Sequence, residues 1–556
     1  MKKYINKLFA GSLIAVATMT ASCAGDYLDT TPTSSVGSNT AFATTENAAM
    51  AINGIAQIMC TQQYSFSQGY CGENRIKSIY GEYPGKDFIY NQFAAGWADI
   101  MNGEFYTQTS TVYCAYPWYY YYTIIGNANS VIVNIDGAAG SEADKQFIKA
   151  QALSFRAYAY TQLMQLYSYR WSDTNNGSTN GVVLRLDEST GDMPLSTAKE
   201  CYDQIYQDCE DAIALYKASG KDRSAADVWL PNINVAYAVY ARAALNRQDY
   251  QIALDNAKLA RQSYPLMSNA DYKAGFCKPT GEWIFGSYAD ATENQWYWTF
   301  GTQFACNGYY ANATEYGAGA IDKELTDRIP DNDARKALFL TADKFPELDL
   351  TDKKVMNQTY AYFEINQIGD DNKPILDKDD KPIKTDAWKK LNAYVKTMTP
   401  AGLSDAYPAG YYYLGAQLKF WVFDTPGVSY LCHIRSSEMV LIEAEANYFL
   451  NNTEAAQAAL VELNAGSGRN PEYTCTKTGE DLFQEIVDYR SLELWGEGFS
   501  WFDYKRWNKD ITRKSIANGG NAHVAIATTV PATGHNNWTW DIPQAETNYN
   551  GGIVMP

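Results

Sequence analysis

The chain has 556 residues and a formal net charge of −18, with 45 Lys and Arg residues against 63 Asp and Glu residues. This acidic excess argues against nucleic-acid binding, which depends on cationic contacts to phosphate. The three histidines, His433, His523 and His535, are scattered along the sequence. The chain therefore has few histidines from which a zinc site or a Ser-His or Cys-His nucleophile system could be built.

The first residues have the pattern of an export signal that ends at Cys23. Three lysines accompany an apolar run over residues 8–19, which has the length of a signal-peptide core and is too short to span a bilayer. Small residues follow, although Thr20 stands where leucine is usual. The pattern resembles a bacterial lipoprotein signal over residues 1–22 and predicts lipid attachment at Cys23. The alternative is an ordinary secretory signal, with Cys23 incidental.

A flexible tether is predicted over residues 23–40, which are rich in Thr, Ser and Gly and lack apolar periodicity. Helices are predicted beyond it, because apolar residues recur at spacings of three and four and capping residues precede them. The predicted helices cover residues 41–60, 119–135, 141–169, 197–219, 232–246, 249–264, 436–450, 453–465 and 481–495.

Two of these helix pairs, over 232–264 and 436–465, have short polar turns between their helices. Small residues such as Ala244 and Ala253 would let the helices of a pair pack closely, and Tyr250 lies at a usual aromatic position. The pattern resembles tetratricopeptide units, although that signature is degenerate.

The remaining segments are irregular, rich in Gly and aromatic residues, with strand-like pieces at 283–287 and 419–423. A charged run over 366–390 predicts a solvated hairpin or loop. The predicted fold class is mainly α, a tetratricopeptide-like helical-repeat scaffold with a large loop-rich insertion region containing short strands. We expect one domain over 41–556, its scaffold over 41–60, 119–265 and 433–507 and its irregular region over 61–118 and 270–430.

Neither a disulfide framework nor a metal centre is indicated. Nine cysteines remain beside Cys23, an odd number without a C-x-x-C pair, and most are expected to be buried small apolar residues. Asp173, Asn175 and Asn176 lie together in a loop and offer oxygen ligands for a structural calcium ion, but EF-hand spacing is absent. No other cofactor is predicted.

Four segments in a fixed order carry a family resemblance, and the most specific is R-S-L-E-L-W-G-E-G over residues 490–498. The segments are Cys23 with 26–29 and Pro32; 156–158 with 193–195; 435–439 with 443–446; and 490–498 with Asp503, Arg506 and Trp507. A closing I-P-Q-A-E over 542–546 also fits. Together they resemble the SusD/RagB family of surface lipoproteins from Bacteroidetes. The departures are Thr20 and residues 499–500, where the family often has a basic residue.

The resemblance implies about four tetratricopeptide-like helix pairs, with irregular insertions on one side that carry the ligand surface. It also implies a non-enzymatic role: lipid-anchored to the outer membrane and facing the cell exterior, the protein would bind glycan and deliver it to a partner SusC-like TonB-dependent transporter. Peptide or another nutrient is the alternative ligand on the same scaffold. A glycoside hydrolase and a purely structural adaptor are further alternatives.

The hydrolase alternative depends on Glu493 and Glu497, which are predicted to lie one helical turn apart on one face. Paired carboxylates can act as acid and base or nucleophile in a glycosidase. The surrounding arginines favour a structural interpretation instead. A carboxylate that is ion-paired with arginine has a lowered pKa and makes a poor general acid. The predicted buried ion-pair network consists of Arg490, Glu493, Glu497, Asp503 and Arg506, and no residue is predicted to be catalytic.

Sugar binding without catalysis needs flat aromatic faces and polar side chains on positioned loops. The chain has 44 Tyr and 14 Trp, and two loop regions, 64–106 and 293–316, combine aromatic and polar residues. In the family the glycan platform is built from loops in these regions. For any single aromatic residue, packing within its loop is the alternative. The glycan-binding candidates are Arg75, Trp97, Asn102, Trp296, Trp298, Tyr309 and Tyr310.

Overall fold

The computed structural model describes residues 38–63, 66, 69–89, 97–290, 299–308, 319–346, 366–403, 414–422 and 429–554. The predicted signal and Cys23 lie outside the described residues, as do Trp296, Trp298, Tyr309 and Tyr310. The last residues of the predicted tether begin a short helix, Ser38–Ala41. Within the described ranges, no helix combines the length and apolar character needed to cross a membrane.

The fold is mainly helical, as predicted. The helices of eight or more residues in the described ranges are α1 Thr45–Ile58, α2 Val112–Asn134, α3 Glu142–Tyr167, α4 Ala198–Ser219, α5 Ile233–Arg247, α6 Tyr250–Ala260, α7 Asp386–Met398, α8 Ser436–Phe449, α9 Thr453–Val461, α10 Gly479–Glu493 and α11 Ser500–Trp507. The Ser141 side chain accepts a hydrogen bond from Asp144 N at the start of α3. Thr197 and Glu200 form a capping box at the start of α4.

Consecutive helices pack against each other to form the scaffold. α3 packs on α2 and α4, α5 packs on α4 and α6, and α8 packs on α6, α9 and α10. The buried side chains of these helices belong to one large hydrophobic core. The assignment of tetratricopeptide-like repeats stays a prediction.

Helix α2 begins seven residues earlier than predicted and contains Pro117. Proline has no backbone N–H, so the carbonyl four residues before it loses its helical partner. The Tyr80 hydroxyl donates to this Tyr113 carbonyl at 2.7 Å. The Tyr167 hydroxyl donates to Cys114 O at 2.6 Å and accepts from Trp118 N at 3.0 Å. Tyrosines from other segments therefore satisfy the backbone groups that the proline disturbs.

The strands are short and form three antiparallel pairs. They are β1 Phe88–Ile89, β2 Trp283–Ser287, β3 Ala320–Ile321, β4 Leu431–Arg435, β5 Ile511–Thr512 and β6 Thr529–Val530, with β1 paired to β3, β2 to β4 and β5 to β6. The strand predicted over 283–287 is confirmed. The one predicted from residue 419 is wrong in the part described, because the Gln417 side chain accepts the N–H groups of Lys419 and Phe420.

The insertion region has a small hydrophobic cluster of its own around α7. Leu391 and Val395 of α7 are buried there with Leu418 and Trp421. Three short paired segments over 366–384 precede α7 and are largely exposed, which agrees with the predicted solvated hairpin. The second cluster gives the insertion a body that packs beside the helical scaffold.

Candidate functional site

The turn after α10 separates the two carboxylates that were predicted to share a helix face. The helix ends at Glu493, and Gly496 and Gly498 have φ values of 78° and 88°, a region that favours glycine. A Cβ atom at Gly496 would lie 2.5 Å from the Phe420 ring. The prediction of one helical face for Glu493 and Glu497 is therefore wrong, because a left-handed turn lies between them.

Arg435, at the end of β4, brings the two carboxylates together. Its Nη1 atom lies 2.9 Å from Glu282 Oε1 and 2.7 Å from Glu493 Oε1, and its Nε atom lies 2.8 Å from Glu497 Oε2. Lys419 Nζ also donates to Glu497 Oε1 at 2.7 Å. We call Arg435, Glu282, Glu493 and Glu497 the Arg435 cluster; its side chains are at most 5% exposed.

The electrostatics of the Arg435 cluster oppose general-acid chemistry. Burial is the largest single influence and raises the pKa of both carboxyl groups, but the charges of Arg435 with Arg469 and Arg335 at Glu493, and of Arg435 with Lys419 at Glu497, together outweigh it. The net effect is a pKa below the usual range for Glu493 and Glu497. Both groups are therefore ionised and inaccessible, as expected of a structural ion-pair cluster.

The other three residues of the predicted network form a separate group. Asp503 Oδ2 lies 2.6 Å from Arg490 Nε, and Asp503 Oδ1 lies 2.9 Å from Arg506 Nη2. Arg506 also pairs with Glu445 of α8. Among the described residues, no ion pair joins this group to the Arg435 cluster, so the single predicted network divides in two.

A buried carboxyl group fixes the turn after α10 from the opposite side. The π-helix Ile76–Glu82 ends at Glu82, whose Oε1 atom accepts from Gly498 N at 2.6 Å and from Phe499 N at 3.2 Å. Lys77 Nζ donates to Glu497 O at 2.6 Å. Burial raises the pKa of Glu82 to about 8.

This raised pKa makes stability dependent on pH. The unfolded Glu82 carboxyl ionises near its ordinary value of 4.5, so the folded state holds a proton that the unfolded state lacks as pH rises from about 5 to 8, and stability falls over this interval. We expect Glu82→Gln to flatten the fall by up to ~1.4 kcal/mol per pH unit. Urea unfolding of the wild-type protein and of Glu82→Gln at pH 5, 6.5 and 8 measures this difference in slope. If the free energy of unfolding of the two proteins changed in parallel with pH, the raised pKa of Glu82 would be contradicted.

Of the predicted glycan-binding residues, Arg75, Trp97 and Asn102 lie in the described ranges. Trp97 begins the short helix Trp97–Met101 and is half-buried. Its ring meets the Tyr83 ring edge-on with centroids 5.5 Å apart, and the Arg75 guanidinium carbon lies 5.7 Å from its centroid. Trp97 is therefore partly accessible, and its neighbours hold its ring in place.

Arg75 and Asn102 have supporting contacts that the sequence did not predict. Arg75 is 4% exposed, and its Nε atom donates to Gly69 O at 2.6 Å. The expectation that Arg75 faces ligand is corrected, because its guanidinium is buried against Trp97 and the Tyr70 ring. The half-buried Asn102 donates through Nδ2 to Ala525 O at 2.9 Å.

Three further aromatic residues, Phe66, Phe105 and Tyr113, are partly exposed. Arg75 connects them to Trp97, because it lies beside the Tyr70 ring that meets Phe66 and its charge acts on Tyr113. The rings of Phe105 and Tyr113 lie 4.6 Å apart. Burial raises the pKa of Tyr113, and the nearby Arg75 charge partly offsets the effect. The sequence search missed Tyr113, which lies in the first turn of α2; its position directly after the 64–106 loop is the signal that could have found it. We call Phe66, Trp97, Phe105 and Tyr113 the aromatic surface.

The loop considered for calcium is engaged in internal contacts. Asp173 Oδ2 pairs with Arg170 Nε at 2.6 Å, and Asp173 Oδ1 accepts from Ser172 at 3.0 Å. Asn175 donates to Ser178. The described ranges contain no cluster of three or more His, Cys, Asp or Glu residues arranged to hold a metal ion. Calcium binding there stays a prediction.

Seven of the nine cysteines in the described ranges are buried, which confirms that most pack as small apolar residues. None of the nine forms a disulfide in the structure. Burial raises the pKa of several of these thiols, including Cys71 and Cys201, both to about 12. Buried thiols with raised pKa values are inert packing groups rather than nucleophiles.

Solved structures with the same fold align with nearly the whole chain. A SusD-like carbohydrate binding protein from Bacteroides vulgatus is 20% identical, with a TM-score of 0.69 and coverage of 92% of this chain and 98% of that chain. A putative sugar binding protein from the same species is 19% identical, with a TM-score of 0.67 and coverage of 92% and 98%. A SusD superfamily protein from Bacteroides thetaiotaomicron is 20% identical, with a TM-score of 0.67 and coverage of 92% and 99%.

Sequence comparison agrees with the fold. No curated protein shows significant similarity to the chain. A family model described as "SusD family" matches residues 389–555, and one described as "Starch-binding associating with outer membrane" matches residues 26–245. The two models together cover more than half of the sequence. The chain therefore belongs to the SusD/RagB family.

Proposed function

We propose that the protein is a non-enzymatic, lipid-anchored glycan-binding protein of the outer cell surface, which delivers oligosaccharide or polysaccharide to a SusC-like TonB-dependent transporter. The observation that carries the proposal is the aromatic surface around Trp97. A flat ring held by an arginine and a neighbouring tyrosine suits the C–H face of a sugar. The family description of starch binding and outer-membrane association supports the same ligand class and location.

The absence of catalysis is part of the proposal. Glu493 and Glu497 were the paired carboxylates considered for hydrolysis, and both are buried and ion-paired with Arg435. A glycosidase needs one carboxyl group with a raised pKa and access to the substrate. We expect purified protein to release no reducing ends from any glycan that it binds.

Trp97→Ala should weaken glycan binding about tenfold, or ~1.4 kcal/mol, because it removes the stacking face. Calorimetry against a panel of starch, xylan, mannan, pectin and alginate oligosaccharides first identifies a ligand and then measures this loss. Trp171→Ala is the matched control: Trp171 is also half-buried, with the Arg247 guanidinium carbon 5.2 Å from its ring, but it lies in a different loop. The control should keep wild-type affinity.

Trp296 and Trp298 are tested in the same way, as part of the proposed platform. If Trp97→Ala, Trp296→Ala and Trp298→Ala all bind the ligand with wild-type affinity, the aromatic platform is wrong. If no glycan binds and an oligopeptide pool does, the protein is a peptide receptor on the same scaffold.

A further inference from the structure

A cleft of about 530 Å³ is lined by none of the residues of the aromatic surface. One wall consists of residues 270–280, after the helical scaffold, and the other consists of residues 397–403 at the end of α7. This volume is in the range of small-ligand sites, roughly 300–1,000 Å³. None of the predicted glycan-binding residues lines it.

The cleft lies where the two hydrophobic clusters meet. Phe276 belongs to the main core, Leu391 and Val395 of α7 belong to the small cluster, and Met398 packs against both. Clefts between separately packed bodies are frequent ligand sites, because each body supplies one rigid wall. A ligand here would contact the scaffold and the insertion at once.

The scaffold wall has an unusual backbone conformation. Phe276 has a φ of 53° and the preceding Gly275 a φ of 95°; a bulky residue rarely adopts positive φ, and such strain persists where packing enforces it. The Phe276 ring is held by the Tyr272 and Phe420 rings, at 5.0 and 5.5 Å between centroids, and by Lys419 Nζ at 4.7 Å from its centroid. The loop that carries Lys273 and Lys278 is therefore fixed in shape.

The cleft is cationic in a chain of net charge −18. Lys273 and Lys278 both line it, and within the described ranges Lys273 forms no ion pair. The acidic side chain of this wall, Asp271, accepts from Ser268 N and Ser268 Oγ in a capping box. Asp271 Oδ2 is therefore occupied at its own helix start, and the two lysines outnumber this single carboxylate in the cleft.

We propose that this cleft binds an acidic sugar residue, a uronate, with its carboxylate at Lys273 and Lys278 and its ring against Pro279, Met398 and Pro400. The proposal rests on the proposed glycan-binding function and extends it to a ligand class. Two ammonium groups supply charge-assisted hydrogen bonds to the carboxylate. The apolar side chains of both walls suit the C–H groups of a pyranose ring.

Calorimetry compares tetragalacturonate and tetramannuronate with their methyl esters, which keep the sugar backbone and remove the charge. We expect the wild-type protein to bind at least one acid at least tenfold more tightly than its ester. Lys273→Gln with Lys278→Gln should abolish this preference and leave ester binding unchanged. Lys145→Gln with Lys258→Gln, which removes the same charge from helices α3 and α6, should keep the preference.

Equal binding of acid and ester by the wild-type protein, binding of neither, or a preference that survives in the Lys273/Lys278 variant would overturn the uronate site. None of these results decides the proposed function, because the glycan panel also contains neutral members and Trp97, which tests the aromatic surface, does not line the cleft. Conversely, loss of neutral glycan binding in Trp97→Ala leaves the acid preference of this cleft to be measured separately.

Discussion

Arg435→Met should lower the free energy of unfolding by about 3–5 kcal/mol, the usual cost of removing one partner from a buried ion pair. Arg435 is 1% exposed and contacts three carboxylates from distant parts of the chain. Methionine fills a similar volume, so the loss comes from uncompensated charge rather than from a cavity. Urea midpoints at pH 7 measure the effect.

The pH dependence of this loss identifies its cause. In the wild-type protein the lowered pKa values of Glu493 and Glu497 keep both ionised; their stabilisation is present above the ordinary carboxyl range and is lost only as pH falls through their lowered folded-state values. Arg435 is the largest of the charges that lower these pKa values, so its removal raises both, although Arg335 and Arg469 remain at Glu493 and Lys419 remains at Glu497. The folded variant therefore takes up protons more readily than the wild-type protein as pH falls. The deficit of the variant should therefore shrink between pH 7 and pH 5.

Arg435→Lys is the matched control, because it keeps the charge and removes the planar fork. We expect it to lose less stability than Arg435→Met and to show a weaker pH dependence. A deficit in Arg435→Met that is the same at pH 5 and pH 7 would show that packing, rather than charge, is responsible.

The helical scaffold could be predicted because its signals are local. Apolar spacing marks the helices, and Ser141 and Thr197 mark the starts of α3 and α4 within three residues of the groups they cap. Helix α2 was the exception. Thr111, whose side chain accepts from Cys114 N, was a local start signal. The tyrosine hydroxyls that satisfy the backbone around Pro117 come from distant segments, and no local pattern reports such contacts.

The Arg435 cluster shows what local patterns omit. Glu493 and Glu497 were predicted to be ion-paired, but their partner Arg435 was not in the predicted network, and Glu282, 153 residues from Arg435, gave no signal. The predicted helix ended at residue 495, yet Glu497 was still placed on the same helical face as Glu493. Two glycines so close to a helix end were a usable stop signal, and weighing it would have separated the two carboxylates.

The aromatic surface was predictable in composition but not in orientation. The sequence showed which loop carries Trp97, Arg75 and Asn102, and it could not show that Arg75 is buried beneath Trp97. Exposure of a loop residue depends on how the loop packs, and alternating or helical periodicity does not encode it. The same reason explains why Tyr113, which follows the loop on α2, was missed.

Cys23→Ala should leave glycan affinity of the purified protein unchanged and reduce glycan uptake by cells at least tenfold. Cys23 lies outside the described residues, so the argument rests on its signal and on the physics of anchoring. Several acyl chains hold a protein to a membrane far better than one. A tether beside a transporter keeps the binding surface at an effective concentration in the millimolar range, which can raise avidity by 10²–10⁴.

Membrane fractionation tests whether Cys23 anchors the protein. Uptake of a fluorescent form of the identified glycan tests whether this anchoring is needed for delivery. Cys475→Ala, a substitution of a partly buried cysteine in the scaffold, should keep both membrane attachment and uptake. If Cys23→Ala remained in the membrane fraction, the lipid would not be at Cys23. If it were released and uptake stayed normal, delivery would depend on direct affinity for the transporter, because proximity imposed by the lipid would then contribute nothing to the rate.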